Sequence, residues 1–410
     1  MERKSLFTRG PMRYDVCVMT RRAQAPLRRR GRAACVALLA AGLVSCRDRA
    51  PAEPTAPPAK VEPMSSGQTA SAAVRPSATA SATPRWVIPD RVWFEGGAMG
   101  THVAFAGYTT ETVDKAGVRA AFEAALAEIK RVELLMTTWR DDSDVSRINA
   151  AAGKAPVKVS EETFAVVKQS IHAGDISEGT FDITFEALHG LWKFDEDLDP
   201  HPPSAKDIKA RLPLLDYKAI KIDESARTVM ITKPGMKIGL GGIAKGYAVD
   251  MAAKVLEKAG LKSYFVQAGG DLLARGNKPD GSPWSAGIRD PRGGPSQYFA
   301  KILLQDHAFS TAGDYERGYV VGGKRYHHII DPRTGYPATA CRSVTIWAPT
   351  AFLADEIDDA VFILGPEKGL ALVESIDGVG AVIVDAKNKI HVSKRLQGLV
   401  QIVALPTDGI

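Results

Sequence analysis

Gly239-Leu-Gly-Gly-Ile-Ala-Lys-Gly-Tyr-Ala-Val-Asp250 is the stretch on which the fold turns. It reads as a tight connection after a strand that opens directly into a helix. Its glycines let the backbone approach a ligand closely, and a helix start favours anionic oxygen. Lys245 adds a full positive charge. The spacing is neither a dinucleotide Gly-x-Gly-x-x-Gly nor a Walker A loop. Taken alone, it fits a phosphate site and a glycine-rich turn with a solvated lysine about equally.

Outward from this turn, strands and helices mix without strict alternation. Trp93–Glu95 and Val103–Phe105 read as two strands joined through Gly96-Gly-Ala-Met-Gly-Thr101. Further β-like runs lie at 219–222, 229–231, 264–267, 284–288, 299–304, 344–347 and 381–384. Apolar residues at helical spacing predict helices over about 113–136, 161–176, 243–259, 351–363 and 366–376. Ser160 is placed as an N-cap. The class is therefore α+β, with mixed sheets and packed helices, rather than a doubly wound parallel sheet.

The helix behind Thr350 carries Leu353, Ile357, Ala360, Val361 and Leu364 on one side and Asp355, Asp358 and Asp359 on the other. Carboxylates at that spacing repel one another. A hard cation would convert the repulsion into binding, and an all-oxygen set suits Mg²⁺. A plain acidic surface face is the competing reading. Ser310–Gly318 and Tyr326–Pro337 form a third polar cluster, in which His327 and His328 stand before a turn built on Asp331-Pro-Arg-Thr-Gly335. Neighbouring strand residues point to opposite faces, so the histidine pair is a poor metal site.

Charge separates the N-terminus from the rest. The first 45 residues hold ten Lys and Arg against Glu2 and Asp15, so the +6 of the chain resides there and the remainder is slightly acidic. The general case for a nucleic-acid partner is thereby removed. Ala33–Val44 is too short to span a bilayer and has the length of a signal-peptide core. It ends in Leu43-Val-Ser-Cys46, which resembles a bacterial lipobox and predicts a lipid on Cys46. Residues 1–45 are expected to be a lipoprotein signal peptide. Residues 46–85, rich in Pro, Ala, Ser and Thr, are expected to be a disordered tether, with the folded domain over 86–410. After cleavage Cys341 would be the one cysteine left in the body.

The segments in their order resemble the ApbE family of FAD:protein FMN transferases over roughly residues 90–400. The resemblance is carried by GGAMGT, LLMTTWRDDSDVSRIN, GTFDITFEALHGLWKF, LGGIAKGYAVD, QAGGDLLARG, STAGDYER, HHIIDPRTG and ADEIDDAVFILG. It implies that Met99, Trp139, Thr180, Phe181, Asp182, Lys245 and Ile329 contact FAD. It also implies that Asp355, Asp358 and Asp359 bind Mg²⁺ with the carbonyl of Gly242. His328 becomes the candidate for proton transfer or phosphate contact. The implied reaction moves FMN from FAD to a threonine of an exported acceptor, an electron-transfer subunit, and releases AMP. The implied place is the cell envelope, with the domain lipid-anchored and facing the periplasm. Three positions depart from the family pattern: Gly239 for aspartate, Asp359 for threonine and Gln267 for asparagine. A hydrolase cleaving FAD with water, or an FAD-binding lipoprotein without turnover, would share the same motifs.

Overall fold

The structure, a computed structural model, describes residues 88–194 and 198–410. The signal peptide, Cys46 and the tether lie outside the described residues. The centre of the fold is an eight-stranded sheet in the order Arg91–Ala98, Thr101–Tyr108, Tyr264–Ala268, Asp271–Arg275, Ala308–Gly313, Cys341–Ala348, Gly380–Asp385 and Ile390–Val392. Neighbouring strands in it all run antiparallel.

The sheet is buried on both faces, which explains why its strands are apolar without clean alternation. Val103 and Phe105 point to a core shared with the helices Lys115–Met136 and Ala244–Lys258. Their neighbours Ala104 and Ala106 point the other way, onto a second core with Trp284, Phe299 and Ile302. That second core belongs to a three-stranded sheet of Trp284–Arg289, Tyr298–Leu304 and Val400–Ile402. Successive strand residues face opposite sides, so one strand feeds two cores. The helix Ala351–Ser375 covers the far half of the main sheet, with Ile357, Val361 and Phe362 against Val344, Ile346 and Ile383.

Most expected elements are present with small boundary shifts. Ser160 caps its helix by accepting from Thr163 N at 3.1 Å. The two helices expected over 351–363 and 366–376 are both present within Ala351–Ser375, separated where Gly365 leaves helical geometry at φ 79° and ψ 178° before Pro366. The strands Asp271–Arg275 and Ala308–Gly313 were not apparent from sequence pattern, because each is short and is specified by its pairing across the sheet.

Two helices are locked together by exchanging carboxylates. Ala244–Lys258 begins without a cap from its own flanking side chain, and Gly246 N donates instead to Asp355 Oδ2 at 2.8 Å. In return Asp250 accepts from Ala351 N and Phe352 N, both at 3.0 Å, at the start of the other helix. Each helix start thus receives a negative group from its neighbour, the favourable sense for the helix dipole. The approach is so close that a Cβ on Gly246 would stand 2.3 Å from Ala351 O and 2.7 Å from Asp355 Cβ. Gly246→Ala is accordingly expected to cost about 3 kcal/mol, the upper end for overpacking, read as a lowered urea midpoint. An unchanged midpoint would show that the two helices separate without penalty.

Candidate active site

The exchange of carboxylates places Lys245 in a nest of acids. Its Nζ lies 2.9 Å from Asp271 Oδ2 and donates to Asp355 Oδ1 at 3.0 Å. Asp271 opens the strand after the Gly269-Gly270 turn, and Asp355 comes from the facing helix, so sheet and helix meet on one ammonium. Ser310 Oγ lies within hydrogen-bond distance of both Asp271 Oδ1 and Asp358 Oδ2, the latter at 2.6 Å. One hydroxyl proton cannot serve two carboxylates at once. Asp271, Asp355 and Asp358 are almost wholly buried.

Electrostatics in the cluster follow from burial and like charge. Desolvation raises Asp358 well above the ordinary carboxylate range, and Asp359, Asp355 and Asp271 push it the same way. Desolvation likewise takes Asp271 to about 6 and Asp359 to about 7, with Asp355 adding to both. Burial works against the charge on Lys245, but Asp271, Asp355 and Asp358 outweigh it and hold the ammonium well above its usual range. Four acids gathered around one lysine repel one another in their charged forms, and a divalent cation would relieve that repulsion.

The cluster passes a direct test of fit for such an ion. Asp271, Asp355 and Asp358 can each offer an oxygen within 4.8 Å of the others. Asp271 Oδ2 is buried and has no aligned hydrogen bond; its 2.9 Å contact with Lys245 is an ion pair by distance only. All the donors are oxygen, the set that Mg²⁺ takes. Asp359 extends the cluster toward the glycine turn, with Oδ2 3.2 Å from where a Cβ on Gly242 would stand.

The expected site residues divide into three groups. Lys245, Gly242, Asp355, Asp358 and Asp359 come together as described. Phe181 lies against the same turn, with its Cε2 3.6 Å from the Cβ position of Gly242. Thr180 and Asp182 instead build the wall behind it. Thr180 Oγ1 donates to Ser177 O at 2.9 Å, and Asp182 accepts from Thr184 N, Thr184 Oγ1 and Tyr217 N. Ile329 is buried in the core beneath the helix, and its carbonyl accepts from Ala338 N at 2.9 Å. Met99 sits in the two-residue turn of the first hairpin with φ 53°. Trp139 is 83% exposed and meets His189 edge-on at 6.0 Å.

The histidines part as strand geometry requires. His327 ends a strand and is buried, its Nε2 2.8 Å from Ala338 O. His328 follows it at the surface. Desolvation by the surrounding chain, then the charges of His327, Arg317 and Lys245, lowers the His328 imidazole pKa, so it is neutral at pH 7. Two further residues of the centre were not singled out from sequence, Asp271 and Ser310. The signal was present in Gly269-Gly270-Asp271, a carboxylate placed just beyond a tight turn. Gln267 also acquires a place: its Nε2 donates to Gly269 O at 3.0 Å and so ties the same turn.

A lysine, a helix start and buried acids converging beside a glycine turn define a protein that handles phosphate esters at a site where an oxygen-bound cation fits. The chain belongs to the ApbE family, whose sequence model matches residues 99–383. An FAD:protein FMN transferase of Treponema pallidum is 33% identical over 304 residues, covering 70% of this chain and 83% of its own. One from Klebsiella pneumoniae is 34% identical over 283 residues, covering 68% and 80%. Among solved structures, the ApbE protein of Thermotoga maritima matches with TM-score 0.69 and 34% identity over 76% of this chain and 99% of its own. The flavin transferase ApbE of Vibrio cholerae matches with TM-score 0.66 and 28% identity over 76% and 99%.

Removing the ammonium leaves buried like charges uncompensated, which costs about 3–5 kcal/mol when one partner of a buried pair is lost. Lys245→Met is expected to lower the urea midpoint accordingly in metal-free buffer. Equal stability of the two proteins would mean that the acids do not depend on Lys245.

Proposed function

We propose that this chain transfers FMN from FAD to a threonine hydroxyl of an exported protein and releases AMP, using Mg²⁺ held by Asp355, Asp358, Asp359 and the carbonyl of Gly242. Asp271 faces the same centre. The single observation that supports this most is Lys245 fixed between Asp271 and Asp355 at a helix start that lacks a cap of its own. That arrangement supplies positive charge to a diphosphate, next to carboxylates able to take a cation. When bound, Mg²⁺ would neutralise the diphosphate and favour the departure of AMP.

The remaining work falls to the chain. Lys245 holds a phosphate oxygen, and the turn from Gly241 to Ala244 keeps side chains out of its way. The threonine oxygen forms a bond to the phosphorus on the FMN side as the bridging P–O bond breaks in line. AMP leaves with the bridging oxygen, and the hydroxyl proton must be taken up. His328, whose backbone N is held by Arg317 O at 3.1 Å, is the candidate for that proton or for contact with a phosphate oxygen. Phe181 closes the side of the turn, while Thr180 and Asp182 keep that wall rigid. Trp139 offers an exposed aromatic face for a ring of the dinucleotide. In the same reading a lipid on Cys46 holds the domain at the envelope, facing the periplasm, and the acceptor is an electron-transfer subunit.

Incubation of the protein from Cys46 onward with FAD, Mg²⁺ and an acceptor domain is expected to yield AMP and to add the mass of one FMN residue to the acceptor. AMP with an unmodified acceptor would instead indicate hydrolysis, and bound FAD without AMP a binding protein. Asp355→Ala is expected to lower metal-dependent AMP release by about 10²-fold or more, the scale of losing one preorganised electrostatic contact. Retained turnover would remove Asp355 from the centre.

A further inference from the structure

One carboxylate of the cleft has no part in the chemistry above. Glu186 lies on the short helix Ile183–Leu188, and its side chain is only 13% exposed. Its nearest cationic partner is His189, whose Nδ1 stands 3.6 Å from Oε1, too far for a hydrogen bond. Among the described residues no group donates a hydrogen bond to this carboxylate. Burial raises its pKa, with His189 and Lys237 pulling the other way. A nearly buried acceptor without a donor is costly to maintain unless something else completes it.

Its surroundings point to what completes it. A Cβ on Gly239 would stand 2.8 Å from Glu186 Oε2 and 3.2 Å from Glu186 Cβ, so the glutamate side chain fills the space beside residue 239. The carboxylate therefore lies over the glycine turn itself. On its other side His189 meets the exposed indole of Trp139 edge-on, at 6.0 Å and 78°. A line of neighbours runs from Trp139 through His189 and Glu186 to Gly239. Three residues further on, Gly242 faces Asp359. Three residues span at most about 10 Å, which places the aromatic platform and the acidic centre within reach of one nucleotide.

We propose that Glu186 is a specificity-determining residue, whose carboxylate accepts a hydrogen bond from an N–H on the edge of the heteroaromatic ring that stacks on Trp139. This rests on FAD being the substrate. FAD carries two rings with such an edge, the imide N–H of the isoalloxazine and the exocyclic amino group of adenine. His189 positions the carboxylate and the indole with respect to each other. Gly239 leaves the space for it.

Titration calorimetry in Mg²⁺ buffer tests this on the full domain. Wild-type protein that fails to bind FAD would count against the function reading and not against Glu186 in particular. With wild-type binding secured, Glu186→Ala is expected to weaken FAD about 10- to 100-fold, the range for an acceptor lost opposite a buried donor. In turnover the loss should appear in KM, with kcat at saturating FAD within about twofold, because the contact is to the ring and is made equally in ground and transition states. FMN and ADP identify the ring: weakened FMN with unchanged ADP assigns the isoalloxazine edge, and the reverse assigns adenine. The double variant Glu186→Ala with Gly239→Asp returns a carboxylate to the vacated space and is expected to restore FAD affinity to within about threefold. A purely structural glutamate would gain nothing from that rescue. Unchanged affinity of Glu186→Ala for FAD, FMN and ADP overturns the proposal, as does a loss that the aspartate at 239 fails to repair.

Discussion

The structure depends on two helices that cap each other with aspartates. Asp250 satisfies the first N–H groups of the acidic helix, and Asp355 satisfies Gly246 N at the start of the other. A helix start leaves several N–H groups without partners, and here Asp250 and Asp355 serve some of them across a helix contact, beside the local cap that Thr350 Oγ1 gives Leu353 N. The consequence is geometric. Asp355 cannot meet Gly246 unless the helices touch at Ala351, so the same contact that buries the core also aims Lys245 at Asp271. The centre and the packing are one arrangement.

That arrangement sets a charge problem which the fold alone does not solve. Asp271, Asp355 and Asp358 are buried around one ammonium, and Ser310 bridges two of them. Buried carboxylates that repel one another are expensive, and hydrophobic residues of similar size would make a more stable protein. Real sequences break the rules of stability at sites of function. Glu356 shows the contrast on the same helix. It is buried too, with its pKa raised by desolvation to about 7, yet Gln169 Nε2 reaches both of its oxygens at 2.9 Å. A structural carboxylate receives a neutral donor, whereas the clustered ones share a lysine and leave room for a cation.

Periodicity and capping made most elements legible in the sequence, because an amphipathic helix such as Lys115–Met136 reports its own packing face. The long helices and the hairpin around Met99-Gly100 were readable for that reason. The strand Asp271–Arg275 was not, since both its neighbours in the sheet supply the reason for its extension. The candidate site was legible in its glycine turn and its three helix aspartates. Spacing could not show that the aspartates face inward. On a lone helix they would be a solvated stripe, and only the sheet packed against them turns the stripe into a pocket. Asp271 and Ser310 escaped notice for the same cause: each is unremarkable in its local segment, and the centre forms when distant segments converge. Thr180 and Asp182 were expected to contact FAD, and their polar atoms are engaged with Ser177, Thr184 and Tyr217.

The two ends of the cleft are built differently, and this difference has a functional logic. The cation end rests on a sheet strand and two long helices, elements whose side chains are held by packing on several sides. Charge neutralisation at phosphorus needs positions fixed within fractions of an ångström, and such elements provide them. The ring end rests on a short 3-10 helix, an exposed tryptophan and a histidine on the surface. There the Glu186 carboxylate fills the space beside Gly239, outside the packed core. The proposed ring contacts can therefore change with less cost in packing than the proposed phosphate contacts, because the first stand at the surface and the second in the interior.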